Sequence, residues 1–346
     1  MCGLFGFIGE SSSPELTQSL ATALFLKTQS RGTDASGFYC VETFPKKQIA
    51  YYKKPVPAEE FIKSEEYKNI WNINYNLGLF HCRAASVGVG IPAYNENNHP
   101  FVSNCLTKAL IHNGFIVKSE YEFLKNYYEC ETECDSEIFL RILEQENEFK
   151  ENARNFFSYA QNSHYAVAFA ETKDNSRDIH LFRNEHRPLV LIDMIESLNQ
   201  IYFCSTSDIF LEAVDTLDIK LKNIKLYEVP KDCYIHLNLD EKNKINLNKF
   251  KINLDDSGKK PDLKYCNIVK STSDWKNISA GKNINEIKDF LNKMSDKLYD
   301  NANLIRDNIK CNHSILQNKQ KINSFFASLR DLNKRCDFIL KALGDP

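Results

Sequence analysis

The stretch Met1-Cys2-Gly3-Leu4-Phe5-Gly6-Phe7-Ile8-Gly9 sets a cysteine directly behind a methionine and follows it with a glycine-spaced apolar run. Residues 4–8 read as a short buried strand that anchors this end of the chain rather than leaving it frayed. Cysteine is small enough for ordinary removal of the methionine before it, which leaves a thiol and a free α-amine on one residue. An α-amine has an intrinsic pKa of about 7.7 to 8.0, against about 10.4 for lysine, so part of it is neutral near pH 7 and can take the thiol proton. Nucleophile and base then share one residue. Taken alone, a cysteine at position 2 is usually incidental, and its weight comes from the motifs further along the chain.

The 346 residues are 42% hydrophobic and 26% charged, enough for one large core or two smaller ones. No apolar segment approaches the roughly 18 residues needed to span a bilayer, and the start of the chain lacks the basic flank and apolar core of a signal peptide, so a cytoplasmic location is expected. Eleven cysteines, an odd number without the tight spacing of a secreted scaffold, fit a reducing compartment. Cys130 and Cys134 have no second pair or histidine at zinc spacing, and neither a metal site nor a cofactor is expected. A net charge of -2 argues against nucleic acid or membrane as a partner. Residues 264–346 nevertheless hold 15 basic against 9 acidic side chains, so the rest of the chain is acidic.

Along the chain, residues 14–26 carry Leu16, Leu20, Ala23 and Leu24 at helical spacing, with Ser13 placed to cap and Pro14 at the first helical position. The loop Arg31-Gly32-Thr33-Asp34-Ala35-Ser36-Gly37 leads into a strand at 38–41. A paired strand is expected at 49–52 and a second helix over 58–71. A strand at 77–80 runs into His81-Cys82-Arg83-Ala84-Ala85-Ser86-Val87-Gly88. Arg83 there needs a fork-shaped acceptor, either an internal carboxylate or that of a substrate. The strand at 108–111 ends in His112-Asn113-Gly114, which reads either as a hairpin turn or as two neutral donors able to hold a tetrahedral oxyanion. Asp135 opens a helix, as an N-cap, as a carboxylate aimed at a cation, or as both. Residues 164–170 and 179–183 read as a hairpin around the loop 171–178, with His180 and His186 at its surface or edge. A strand at 201–204 enters a helix ending near Val214, and a short strand pair is expected at 226–230 and 233–237.

Six of these pieces stand in a recognisable order: Cys2-Gly3-Leu4-Phe5-Gly6, the loop 31–37, the motif 81–88, Asn98-His99-Pro100-Phe101, His112-Asn113-Gly114 and Asp135-Ser136-Glu137. Together they resemble the class II glutamine amidotransferase domain of the N-terminal nucleophile hydrolases, over roughly residues 2–240. The resemblance implies an α+β fold, a four-layer αββα sandwich of two antiparallel sheets with Cys2 at the end of a strand. It implies that Cys2 attacks the side-chain amide of glutamine, that its α-amine serves as base and then acid, and that Asn113 and Gly114 form the oxyanion hole. Arg83 would grip the substrate α-carboxylate with help from Ser86, and Asp135 would pair with its α-ammonium. Arg31 would support the nucleophile's end of the site, and His99 would be structural. Ala84 and Val87 depart from the family, where many members have an aromatic residue and a histidine or glutamine, so a less tightly gated substrate loop is expected.

The amidotransferase domain is expected to occupy residues 1–250, followed by a linker at 251–281 and a C-terminal helical extension at 282–346. Ile284, Ile287, Leu291, Met294, Leu298, Ala302, Ile305 and Ile309 recur at steps of three and four, as do Ile322, Phe325, Leu329, Leu332, Cys336, Ile339 and Leu343. Two such helices suit a hairpin, a coiled-coil-like surface for a partner or a second copy, or packing back on the first domain. No phosphate-binding or adenylating loop is found in the tail, so the leading expectation is a glutaminase that supplies ammonia to a separate synthase. The alternatives are a stand-alone γ-glutamyl amide hydrolase and a non-catalytic assembly module working through the helices.

Overall fold

A computed structural model of the chain describes residues 1–42, 47–85, 90–173, 176–219, 223–231 and 233–251. Its strands are β1 (Gly3–Ile8), β2 (Ala35–Glu42), β3 (Gln48–Lys54), β4 (Leu77–Arg83), β5 (Phe101–Val102), β6 (Lys108–Phe115), β7 (His164–Lys173), β8 (Ser176–Arg183), β9 (Val190–Met194), β10 (Gln200–Cys204), β11 (Lys225–Glu228), β12 (Cys233–Leu239) and β13 (Ile245–Lys251). The helices are α1 (Pro14–Thr28), α2 (Ala58–Phe61), α3 (Glu65–Ile70), α4 (Lys118–Leu124), α5 (Ser136–Leu143), α6 (Phe149–Tyr159), α7 (Ile195–Leu198) and α8 (Ser207–Thr216).

The strands form a seven-stranded sheet, in the order β11-β9-β10-β1-β4-β2-β3, and a six-stranded one, β13-β12-β8-β7-β6-β5, with antiparallel pairing throughout. Side chains alternate across a strand, so β1 serves two cores at once. Leu4 and Ile8 join Leu79, Ile111, Ala168 and Leu181 between the sheets. Phe5 and Phe7 join Leu20, Leu24 and Phe25 of α1 and Phe210 of α8 on the outer face, where Phe5 stacks on Phe80 with ring centroids 4.6 Å apart. In the second sheet Ala166, Ala168 and Ala170 face inward, while Val167 and Phe169 pack outward against Ile138, Phe139 and Phe156 of α5 and α6. Helices thus cover both outer faces, and the fold is the expected αββα sandwich. Burying each of these phenylalanines stabilises it by about 1.5 to 3 kcal/mol.

Several local expectations change. Helix α1 starts at Pro14, but the Ser13 side chain makes no capping bond. The helix expected over 58–71 is two, because Ser64 accepts from Tyr67 N at 3.3 Å and caps a fresh start at α3. Strands β7 and β8 run on to Lys173 and back to Ser176, so their connection is much tighter than 171–178. Strands β11 and β12 do not pair with each other: β11 joins β9 in the first sheet and β12 joins β8 in the second. His180 is buried, stacked on Phe149 at 3.4 Å, and burial holds its pKa well below the ordinary value. Lys251, expected to open the linker, closes β13. The rest of the linker, the C-terminal helices and Ser86 lie outside the described residues.

Candidate active site

Central strand β1 begins at Gly3, which fixes Cys2 at its mouth, opposite the ends of β4 and β6. Here a pocket of about 310 Å³, open to solvent, is lined by Cys2, Arg83, Ala84, His99, His112, Gly114, Cys134, Asp135 and Ser136. Five of the eight residues expected at the site therefore share one cavity. Two more, Arg31 and Asn113, bond to the main-chain carbonyl of Cys2. Arg31 Nε donates to Cys2 O at 2.9 Å. With the Asn113 amide oriented to satisfy its neighbours, Nδ2 donates to Cys2 O at 3.1 Å and Oδ1 accepts from Arg31 Nη2 at 3.3 Å.

The thiol is half-buried and touches Ala84, whose carbonyl lies 3.5 Å and whose N–H lies 3.4 Å from Sγ. Burial raises the Cys2 pKa above its ordinary value, against the opposing pull of the Ala84 hydrogen bond, the chain-terminal charge and Arg83. Arg83, at the end of β4, is 3% exposed; its Nη1 donates to Asn98 Oδ1 at 2.7 Å and its Nη2 to Gly90 O at 2.8 Å.

Asn113 and Gly114 do not form a hairpin turn. They continue β6, opposite Ala166 and Tyr165 of β7, while β5 covers the other edge only at Ala109 and Leu110. The edge at Gly114 is thereby left to the pocket. Only glycine fits there: a Cβ at this position would lie 1.7 Å from His164 O. Asp135 sits at the start of α5, yet its side chain does not cap that helix. Its Oδ2 instead accepts from Ile116 N at 2.8 Å, and its Oδ1 from Ser136 Oγ at 3.3 Å and the Cys134 thiol at 3.8 Å, all neutral donors.

Three residues that received no role from the sequence support this pocket: His81, His112 and Asn98. His81 and His112 precede Arg83 and Gly114 by two positions, so strand alternation puts each on the same face as its neighbour, a signal that could have found them. His81 Nε2 lies 3.0 Å from His112 O, and its ring centroid is 4.0 Å from that of His99. His112 Nδ1 lies 2.8 Å from Ser136 Oγ. Burial holds the His81 pKa down to about 3, that of His112 to about 4 and that of His99 well below its ordinary value.

These imidazoles are neutral in the fold and gain protons in the unfolded chain below about pH 6.5, so stability is lost as pH falls from there toward 4. We expect a loss of several kcal/mol, since each tenfold difference in proton affinity between the folded and unfolded chain is worth about 1.4 kcal/mol. Urea unfolding at stepped pH measures it, and a flat stability between pH 6.5 and 4 contradicts it.

No model of a known protein family matches the chain. It is 27% identical over 203 residues to the glutamine–fructose-6-phosphate aminotransferase (isomerizing) of Oceanobacillus iheyensis, covering 55% of this chain and 30% of the relative. It is 27% identical over 226 residues to the enzyme of the same name from Bacillus anthracis, covering 62% and 35%. The chain thus spans about a third of the length of the curated relatives it matches. Among solved structures, the allosteric regulatory enzyme of purine biosynthesis superposes with a TM-score of 0.52 at 19% identity, covering 73% of this chain and 50% of that one. Glutamine phosphoribosylpyrophosphate amidotransferase from B. subtilis superposes with a TM-score of 0.51, again at 19% identity and with the same coverage. These two likenesses concern the fold. On motif order, fold and relatives together, the chain is similar to glutamine-dependent aminotransferases and amidotransferases in the region that carries its six motifs.

Proposed function

We propose that the chain hydrolyses the side-chain amide of free glutamine to glutamate and ammonia, with Cys2 as nucleophile once Met1 is released. The observation that carries this reading is the meeting of Cys2, Arg83 and Asp135 on one pocket. They complement the amide carbon, α-carboxylate and α-ammonium of a single small molecule. Asp135 is a buried carboxylate among neutral donors, an environment that attracts a cation.

In this mechanism the α-amine of Cys2 takes the thiol proton. The histidines of the pocket are poor candidates for that task, because burial makes them weak bases. Sγ then bonds to the amide carbon, and the carbonyl electron pair moves to oxygen, held by Asn113 Nδ2–H and Gly114 N–H. The α-ammonium protonates the amide nitrogen, the C–N bond breaks, and ammonia leaves a thioester behind. Water adds to that thioester with the amine as base, and cleavage of the C–S bond returns the thiol and glutamate.

The ammonia would pass to a synthase site outside residues 1–251, reached in part through the C-terminal helices. In support, the matched region of the curated relatives is only about a third of their length. The free thiols of Cys2, Cys40, Cys82, Cys134 and Cys204 suit a reducing compartment such as the cytoplasm. One observation favours a second reading, hydrolysis of bulkier γ-glutamyl amides: the small Ala84 packs directly against the Cys2 thiol. Glutamate release from glutamine and from a γ-glutamyl anilide, with intact mass recorded on the same sample, tests both. We expect glutamine to be cleaved and Cys2 to be labelled by a diazoketone analogue of glutamine. A preference for the anilide selects the second reading, and a chain without Met1 that neither releases glutamate nor takes the label overturns both.

A further inference from the structure

We infer that Lys53 is a positioning residue for the amino-acid end of the substrate, acting through the loop 95–100. This rests on the proposed glutamine reading and goes beyond it. Lys53 lies near the end of edge strand β3, opposite Gly37 of β2. A Cβ on Gly37 would lie 2.2 Å from His99 O, so the loop rests directly on this part of the sheet. The Lys53 ammonium donates to three carbonyls of that loop: Asn98 O at 2.7 Å, Glu96 O at 3.1 Å and Pro100 O at 3.4 Å. Its Nζ also stands 5.1 Å from the centre of the Phe101 ring, and its own carbonyl accepts from Asn95 Nδ2 at 2.7 Å.

The clamped loop reaches both groups that would hold the amino acid. Asn98 Oδ1 accepts from Arg83 Nη1 at 2.7 Å. Asn97 Oδ1 accepts from Glu133 N at 2.9 Å, which ties the loop to the segment ending at Asp135. Lys53 itself does not line the pocket. Its removal should therefore weaken the grip on the α-amino and α-carboxylate groups while leaving attack on the amide largely intact.

Burial lowers the Lys53 pKa to about 8. Cys134 and Glu137 of the facing segment and Glu96 of the loop favour its charged form, and Arg83 opposes it. As pH rises through about 8, the ammonium loses its charge and one of its three donors, so the loop should slacken and KM should climb.

The test uses the full chain with Met1 removed. For Lys53→Met we expect KM for glutamine to rise about tenfold with kcat within about twofold, as for the loss of one charge-assisted anchor. Labelling of Cys2 by the diazoketone analogue should slow in parallel, while alkylation by iodoacetamide, which lacks the amino-acid end, should not. Arginine does not titrate in this range, so Lys53→Arg should keep a near-normal KM at pH 7 and lose the rise in KM above pH 8 that the wild type shows. That second variant decides the matter even where Lys53→Met fails to fold. An unchanged KM in Lys53→Met, or an alkaline rise that persists in Lys53→Arg, overturns the role of Lys53 while the glutamine reading stands. A wild-type chain that neither cleaves glutamine nor takes the analogue overturns the reading itself, and this role with it.

Discussion

Cys2→Ala is expected to lower glutamate release from glutamine by roughly 1,000-fold or more, the scale on which enzymes suffer when a covalent nucleophile is removed. Alanine at position 2 is also small enough for Met1 removal, so the variant keeps the free α-amine and loses only the thiol. Little stability should go with it. Among the described residues the sulfur's hydrogen bonds are the two long ones to Ala84, and β1 begins one residue later. The Cys2 carbonyl, which Arg31 and Asn113 hold, belongs to the backbone and stays. We expect a melting midpoint within a few degrees of the wild type, corresponding to about 1 kcal/mol or less. Full activity in this variant, with Met1 confirmed absent by mass, would falsify the mechanism.

Gly114→Ala is expected to act on both stability and rate. An added methyl would sit 1.7 Å from His164 O and 2.6 Å from His112 Nε2, so β6 would have to separate from β7 at the point where Gly114 meets the pocket. Overpacking of this kind typically costs about 1 to 3 kcal/mol. The displacement would also carry the Gly114 N–H away, and losing one oxyanion donor lowers turnover by about 100- to 1,000-fold. Because Arg83 and Asp135 stand on other elements, KM should change far less than kcat. Urea unfolding alongside steady-state kinetics separates the two effects. An alanine variant with wild-type stability and rate would show that neither the close approach nor the donor matters.

The parts of the fold legible in the sequence are those whose burial is periodic and whose partners are apolar. Strand β1 is one, because its run of Leu4, Phe5, Phe7 and Ile8 admits a strand buried on both faces, and the structure uses both. Asn113-Gly114 is ambiguous for a local reason. The same dipeptide favours a tight turn, and only the length of β7 opposite decides that the strand continues. Asp135 reads as a helix cap because of its place before α5, but the nearby Ile116 N–H claims its carboxylate. His81 and His112 carry no signal beyond alternation, since a buried neutral imidazole resembles any other core residue in sequence. Lys53 is least legible of all. Its partners are main-chain carbonyls more than forty positions away, and carbonyls carry no residue identity.

The central position of β1 also orders events in time. Its register pairs Phe5 with Phe80 on one side and with Cys204 on the other. The second neighbour does not exist until about two hundred residues have left the ribosome, which takes about 10 to 40 s at typical synthesis rates. Throughout that interval the first residues have one sheet partner at most, and Met1 stays open to the peptidase that would expose the amine. Under the proposed mechanism, Met1 can thus be released before the catalytic pocket is assembled, and because it is still 68% exposed in the fold, it can also be released afterwards.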